Sequence, residues 1–345
     1  MLFNEFTTTV VARIKDFLPE DFANAFITTE SVSKLGTAYE ALIVRKGGKS
    51  CAPAISLNDA FDEYCITGDL NAVMRNIADI ITEADPDRFE GATSILNDYS
   101  LAKTKLFVRL SNAERNASVL DNCPHRIIED LAATYHILIS KDSDGVSSTL
   151  VTNRLLSNYG ISADQLHEDA DRSAPELNPP TLRPMFDVLT DMAGPGMGMP
   201  PMGPPIYVAT TMESQNGACV IAYPGFLEYA KDIIGDQLFI LPSSKHEVLI
   251  LPDNGEFNME NLMDMVCTVN RLEVAPEDRL ADNVYHYDGE DRVFETAKHY
   301  EDRMAEKEDA LGNEKGSILK DLEEHKKECV GKMSPTDHKR NAPVL

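Results

Sequence analysis

The chain contains no tryptophan, no C-x-x-C pair and no apolar run approaching the roughly 20 residues that a membrane-spanning helix needs. Its six cysteines, Cys51, Cys65, Cys123, Cys219, Cys267 and Cys329, are widely scattered. That spacing fits reduced thiols in a cytosol better than a disulfide framework, and Cys219 and Cys267, in apolar contexts, read as small core residues rather than nucleophiles. The amino end, Met1-Leu-Phe-Asn-Glu-Phe, lacks the basic and apolar regions of a secretory leader, so a cytoplasmic location is expected. Positive charge is scarce: 32 Lys and Arg stand against 57 Asp and Glu, a formal net charge of -25. Such a surface repels phosphate backbones and anionic lipid heads, so neither nucleic acid nor membrane is expected as a partner. No G-x-x-x-x-G-K-[ST] motif occurs, and the glycines between 194 and 203 are interrupted by prolines and follow no strand, so no nucleotide or other cofactor is expected.

What is present is 345 residues, 43% of them hydrophobic, enough for one large or two ordinary domains. The pattern predicts an α+β fold. A first helix over Glu5–Phe17 leads into a three-strand antiparallel meander from Ala25 to Leu57, punctuated at Gly36 and Gly48. Leu70, Val73, Ile77 and Ile81 then share a helical face behind a cap at Asp69. The middle reads as mostly helical. After a strand over Leu101–Ser111, the spacing of Ile127, Ile128, Leu131, Tyr135 and Leu138 predicts a helix from about His125. Another helix is expected to end at Gly160, and Ser162 caps a further one over Ala163–Ala170.

Nine of the nineteen prolines fall between Pro175 and Pro205, which marks a linker. Beyond it the pattern predicts strands over Tyr207–Thr211, Ala218–Ala222, Gln237–Leu241 and Glu247–Leu251, with a helix over Phe226–Ile234 and another capped by Asn258. The two apolar strands joined through Pro242-Ser-Ser-Lys245 suggest a hairpin buried on both faces. From about Gly289 the chain becomes charged and helical, with Ala297, Met304, Leu311 and Ile318 at heptad spacing. The expected organisation is an α+β region (1–192), a Pro/Gly/Met-rich linker (193–205), a second region with a mixed sheet and flanking helices (206–290), and a charged helix with a disordered tail (291–345).

Several long motifs, RLSNAERN (109–116), PHRIIEDLAATYHIL (124–138), VTNRLL (151–156), LFILPSSKHEVLILP (238–252) and VNRLEVAPEDRLADNVYHYD (269–288), make the chain resemble the uncharacterised domain of unknown function 5688 family of Gram-positive bacteria. The resemblance covers about residues 1–290. It implies a bacterial, intracellular setting and assigns no activity.

The densest polar cluster joins the PSSKHE segment to the LADNVYHYD segment. As a hydrolase, Ser243 or Ser244 would be the nucleophile, His246 the base, and Asp282 or Asp288 its orienting carboxylate, with Glu247 nearby. Against that, His246 and Glu247 point to opposite faces if both lie in a strand, and no G-x-S-x-G elbow exposes a serine. Asn270, Tyr285, His286 and Asp288 are candidate binding residues. No metal site is expected: the H-E-x-x-H pattern fails at Ile250, and on a helix His125 and His136 would stand about 16 Å apart. The leading expectation is a non-catalytic binding or protein-interaction module with a protein partner; the alternative is the hydrolase.

Overall fold

A computed structural model describes residues 1–47, 52–84, 90–142, 145–193 and 205–310. The Pro/Met-rich stretch 194–204 and the heptad positions Leu311 and Ile318 lie outside the described residues. Contacts divide the chain into Met1–Phe294 and a second unit beginning at Glu295.

The opening follows from its punctuation. Helix α1 (Phe3–Arg13) precedes three antiparallel strands, β1 (Phe26–Lys34), β2 (Thr37–Arg45) and β3 (Ala54–Ser56). Lys34 pairs with Thr37, so Leu35 and Gly36 alone make the turn, and Gly36 sits at φ 83, where a two-residue hairpin loop favours glycine. Ser56 caps α2 (Leu57–Thr67), Gly68 closes it in the left-handed conformation, and the Asp69 carboxylate accepts from the Asn71 and Ala72 N–H groups to start α3 (Leu70–Glu83). Val73, Met74, Ile77 and Ile81 share the inner face of α3 and pack with Phe6, Val10 and Leu42 in one core.

The middle departs from the helical expectation. After α4 (Glu90–Asn97) and α5 (Tyr99–Ala102) come β4 (Leu106–Asn112), the short α6 (Ala117–Leu120), β5 (His125–Ile128), β6 (Leu131–Asp142) and β7 (Gly145–Leu150). The stretch expected to be a helix from His125 is a β-hairpin turning at Glu129 and Asp130, with Glu129 at φ 57. Strand β6 pairs with β4, β5 and β7 and is buried from 131 to 137 without interruption. The two helices that follow agree with the sequence: α7 (Asn153–Tyr159) stops at Gly160, and α8 (Ala163–Leu177) starts on the Ser162 cap and runs on past Ala170.

A six-stranded sheet organises the rest, in the order β13-β12-β10-β11-β9-β8. Its strands are β8 (Pro180–Pro184), β9 (Tyr207–Thr211), β10 (Gln237–Pro242), β11 (Val248–Pro252), β12 (Tyr285–Asp288) and β13 (Val293–Thr296), with helices α9 (Met185–Ala193), α10 (Phe226–Ile234) and α11 (Met259–Leu272) between them. Strand β8, bounded by prolines, is at the edge, where a missing N–H breaks no inner ladder. It pairs with β9 across the Pro/Gly/Met-rich segment. The β10–β11 hairpin is central and mostly buried, as its apolar runs indicate. Ala218–Ala222 is not a strand: Gly217–Ala222 is a buried 3-10 helix. One continuous core, including Leu106, Tyr135, Leu166, Val220, Ile240 and Tyr285, joins the four-stranded and six-stranded sheets. In the second unit a helix spans 297–310, and Arg303 donates to the Glu295 carboxylate at 2.6 Å.

Candidate functional site

Residues 243–247 connect β10 to β11 as a loop rather than as strand. Backbone and side-chain bonds fix it internally: the Ser244 N–H donates to the Glu247 carbonyl at 3.2 Å, and the His246 N–H donates to Ser244 Oγ at 3.0 Å. The loop is also anchored outward. The Lys245 N–H donates to the Asp278 carbonyl at 2.7 Å, Lys245 Nζ meets Asp278 Oδ1 at 2.6 Å, and Thr210 Oγ1 donates to the His246 carbonyl at 2.7 Å.

These contacts decide what the imidazole can do. The Asn216 N–H donates to His246 Nδ1 at 3.2 Å, so a neutral ring carries its proton on Nε2, which faces Asp278 Oδ1 at 3.4 Å. The hydrogen bond from Lys245, opposed by burial and aided by the Lys245 and His246 charges, holds the Asp278 carboxyl below its ordinary range. Ser244 Oγ bonds the main chain of His246, and Ser243 Oγ lies 3.5 Å from Glu247 Oε1. The carboxylate beside the histidine is therefore Asp278, two residues before the LADNVYHYD segment.

The other expected residues go to different partners. Asp282 receives Arg115 Nη2 at 2.6 Å and Asn270 Nδ2 at 2.8 Å. Asp288 is buried, accepts from Gln237 Nε2 at 3.0 Å and from the Glu290 and Asp291 N–H groups, and so closes the turn after β12. His286, fully buried, sets Nε2 3.2 Å from Asp253 Oδ2 and its ring edge-on to Phe239. Tyr285 reaches Asp130. Among the described residues no group of three or more His, Cys, Asp or Glu is placed to hold a metal ion. Cys219 is buried as expected, with burial pushing its thiol up to about 12, but Cys267 is exposed on α11.

Asn270 is the candidate binding residue with a cavity beside it. Helix α11 lies on the β10–β11 hairpin and leaves an apolar cavity of about 260 Å³. Met265, Val266 and Val269 form its helical wall, Leu241, Leu249 and Leu251 its floor, and Met185 and Ile206 one flank. Asn270 lines it too, 2% exposed. Its Nδ2 is spent on the Ala281 carbonyl and Asp282, while its buried Oδ1 receives no hydrogen bond from the protein. A buried acceptor left without a donor costs about 1–3 kcal/mol, which a ligand donor would offset. Sequence reasoning placed the leucines in the core but gave no sign of the space between them and α11.

Arg109 was missed as a candidate. It shares one face of β4 with Phe107 and Ser111, while Leu106, Val108 and Leu110 form the apolar set of the opposite face, so strand phase reads Arg109 as outward-facing and carries no signal that would have found it.

Together these features define an α+β protein of antiparallel sheets with an apolar cavity at a helix–hairpin junction and no helix long and apolar enough to cross a membrane among the described residues. The chain matches the family of unknown function DUF5688 over residues 3–289, and it belongs to that family. No curated protein and no solved structure matches it.

Proposed function

We propose that this protein is a non-catalytic binding protein whose ligand is a small apolar molecule carrying one O–H or N–H donor, held between α11 and the β10–β11 hairpin. The observation that carries the reading is the buried Asn270 Oδ1, which lacks a donor in the wall of an otherwise apolar cavity. A cavity of about 150 Å³ takes benzene, so 260 Å³ accommodates a substituted or fused ring. Support for the non-catalytic part comes from the loop: both ring nitrogens of His246 already have partners, and Ser244 Oγ serves the backbone. A general base needs a free nitrogen within reach of its nucleophile.

The test compares phenol with toluene on the full chain by calorimetry and thermal shift. Phenol is expected to bind several-fold more tightly, the difference one hydrogen bond makes, and Val269→Phe, which fills the cavity, should abolish binding of both. Equal affinity for the two probes would remove Asn270 from recognition. Unchanged binding in the Val269→Phe protein would place the site elsewhere.

A further inference from the structure

A second cavity, independent of the first, is built around a cation with which no carboxylate among the described residues pairs. Arg109 lies on the face of β4 shared by Phe107 and Ser111. Its guanidinium sits 5.3 Å from the centre of the Phe107 ring, and Nη2 donates to Ser148 Oγ at 2.9 Å. Its Nε is buried and makes no hydrogen bond. Among the described residues no carboxylate pairs with it. Burial depresses its pKa, and the group that pulls the other way is the neighbouring Cys219 thiol. The surroundings are neutral: burial first, and then the Arg109 charge itself, hold the His136 pKa well below the ordinary histidine value. An unpaired buried charge costs several kcal/mol.

Beside the guanidinium is a cavity of about 70 Å³, walled by Phe107, Leu138, Val146 and Leu177, with the Asn178 and Asn216 side chains at its border. Two further charges line it, Lys141 and Glu213, and they pair with each other at 2.7 Å. Among the described lining residues, two cations against one anion leave a net charge of one positive unit, located on Arg109. Water occupies about 30 Å³ per molecule in the liquid, so the space holds about two waters, or one carboxylate with a short carbon chain. The planar fork of arginine matches a carboxylate in geometry as well as in charge.

We propose that the cavity at Arg109 binds the carboxylate of a small monoanion. The carboxylate accepts from the guanidinium and supplies the charge the site lacks, while its carbon chain lies against Leu138, Val146 and Leu177.

The experiment titrates acetate and propionate into the full chain by calorimetry at constant ionic strength, with chloride and inorganic phosphate as comparison anions. Saturable binding of the carboxylates, and not of chloride or phosphate, is expected. Arg109→Met should weaken acetate by about ten-fold or more, the scale of a charge-assisted contact, while leaving the unliganded protein at least as stable, because it removes an unpaired buried charge. Glu213→Gln, a half-exposed position where folding is not at stake, should tighten acetate several-fold by freeing Lys141. Absence of a saturable carboxylate signal, equal binding of chloride or phosphate, or an acetate affinity unmoved by Arg109→Met would each overturn the proposal. Should Arg109→Met fail to fold, the Glu213→Gln result decides: unchanged or weaker acetate binding sinks it. Phenol binding is read at a different cavity, so the two sites succeed or fail separately.

Discussion

The Tyr285 hydroxyl donates to Asp130 Oδ1 at 2.5 Å, joining residues 155 apart in sequence. Asn283 Nδ2 takes the other carboxylate oxygen at 2.8 Å, and the Asp130 carbonyl accepts from the Ala113 N–H. The β5–β6 turn is thus clamped to the six-stranded sheet by one acidic side chain. Tyr285→Phe keeps the packing and leaves a carboxylate oxygen without its donor. A loss of about 1–3 kcal/mol is expected, visible in urea unfolding as a lower midpoint at unchanged slope. An unchanged midpoint would mean that water replaces the phenol at no cost.

Alkaline pH should expose the same design. Burial raises the pKa of Tyr285, Tyr223 and Tyr99, and burial pushes Tyr135 up to about 12. Their folded values lie above the unfolded value of about 10, so their contribution is fully present below pH 10 and is lost as pH rises from there toward the folded values. Tyrosinate absorbance should rise in two stages, surface phenols first and these four only as circular dichroism reports unfolding. A single smooth titration with the fold intact would contradict their burial.

At the loop, Ser244→Ala removes the acceptor for the His246 N–H. The expected cost is about 1 kcal/mol, with no change in any ester-hydrolysis background. A large activity in the parent protein that disappears in this variant would reinstate the hydrolase.

Gly217 predicts the most damaging small change. A Cβ there would stand 2.0 Å from Thr210 Oγ1, 2.5 Å from the His246 carbonyl oxygen and 2.7 Å from the Thr211 nitrogen. Two of those three atoms are backbone, so a rotamer change cannot relieve the clash. Gly217→Ala should cost about 3 kcal/mol. It should also shift the NMR signals of His246, because the chain carrying its carbonyl must move.

Local signals in the sequence were reliable where a single side chain decided the outcome: the caps at Asp69, Ser162 and Asn258, and the stop at Gly160, all hold in the structure. The strand expected over Leu101–Ser111 begins only at Leu106, with 101–105 helical, and the two larger failures share one cause. Residues 131–137 are buried on both faces of β6, so no alternation of apolar and polar marks them as strand, and Ile127, Ile128, Leu131, Tyr135 and Leu138 imitate a helical stripe. The turn that would have broken the stripe rests on Glu129 with positive φ, without the glycine that normally announces it. Gly217–Ala222 is likewise buried nearly throughout, and its pattern carries no period.

The candidate site was legible as a neighbourhood and not as a set of pairs. The sequence brought PSSKHE and LADNVYHYD together, but the choice of Asp278 over Asp282 for His246 depends on how the loop before β12 lies against residues 243–247, which no spacing encodes. Arg109 shows the complementary limit: strand phase groups it away from Leu106, Val108 and Leu110, and that its face is nevertheless covered is a three-dimensional fact.

The ladder between β8 and β9 bears on how the polypeptide tolerates being cut. Leu182 faces Ala209 and Thr181 faces Thr210 across the ladder, and the core behind them draws on residues from both sides of the Pro/Gly/Met-rich stretch. A single proteolytic nick between 194 and 204 would therefore yield two fragments that stay together in native buffer and part only in denaturant.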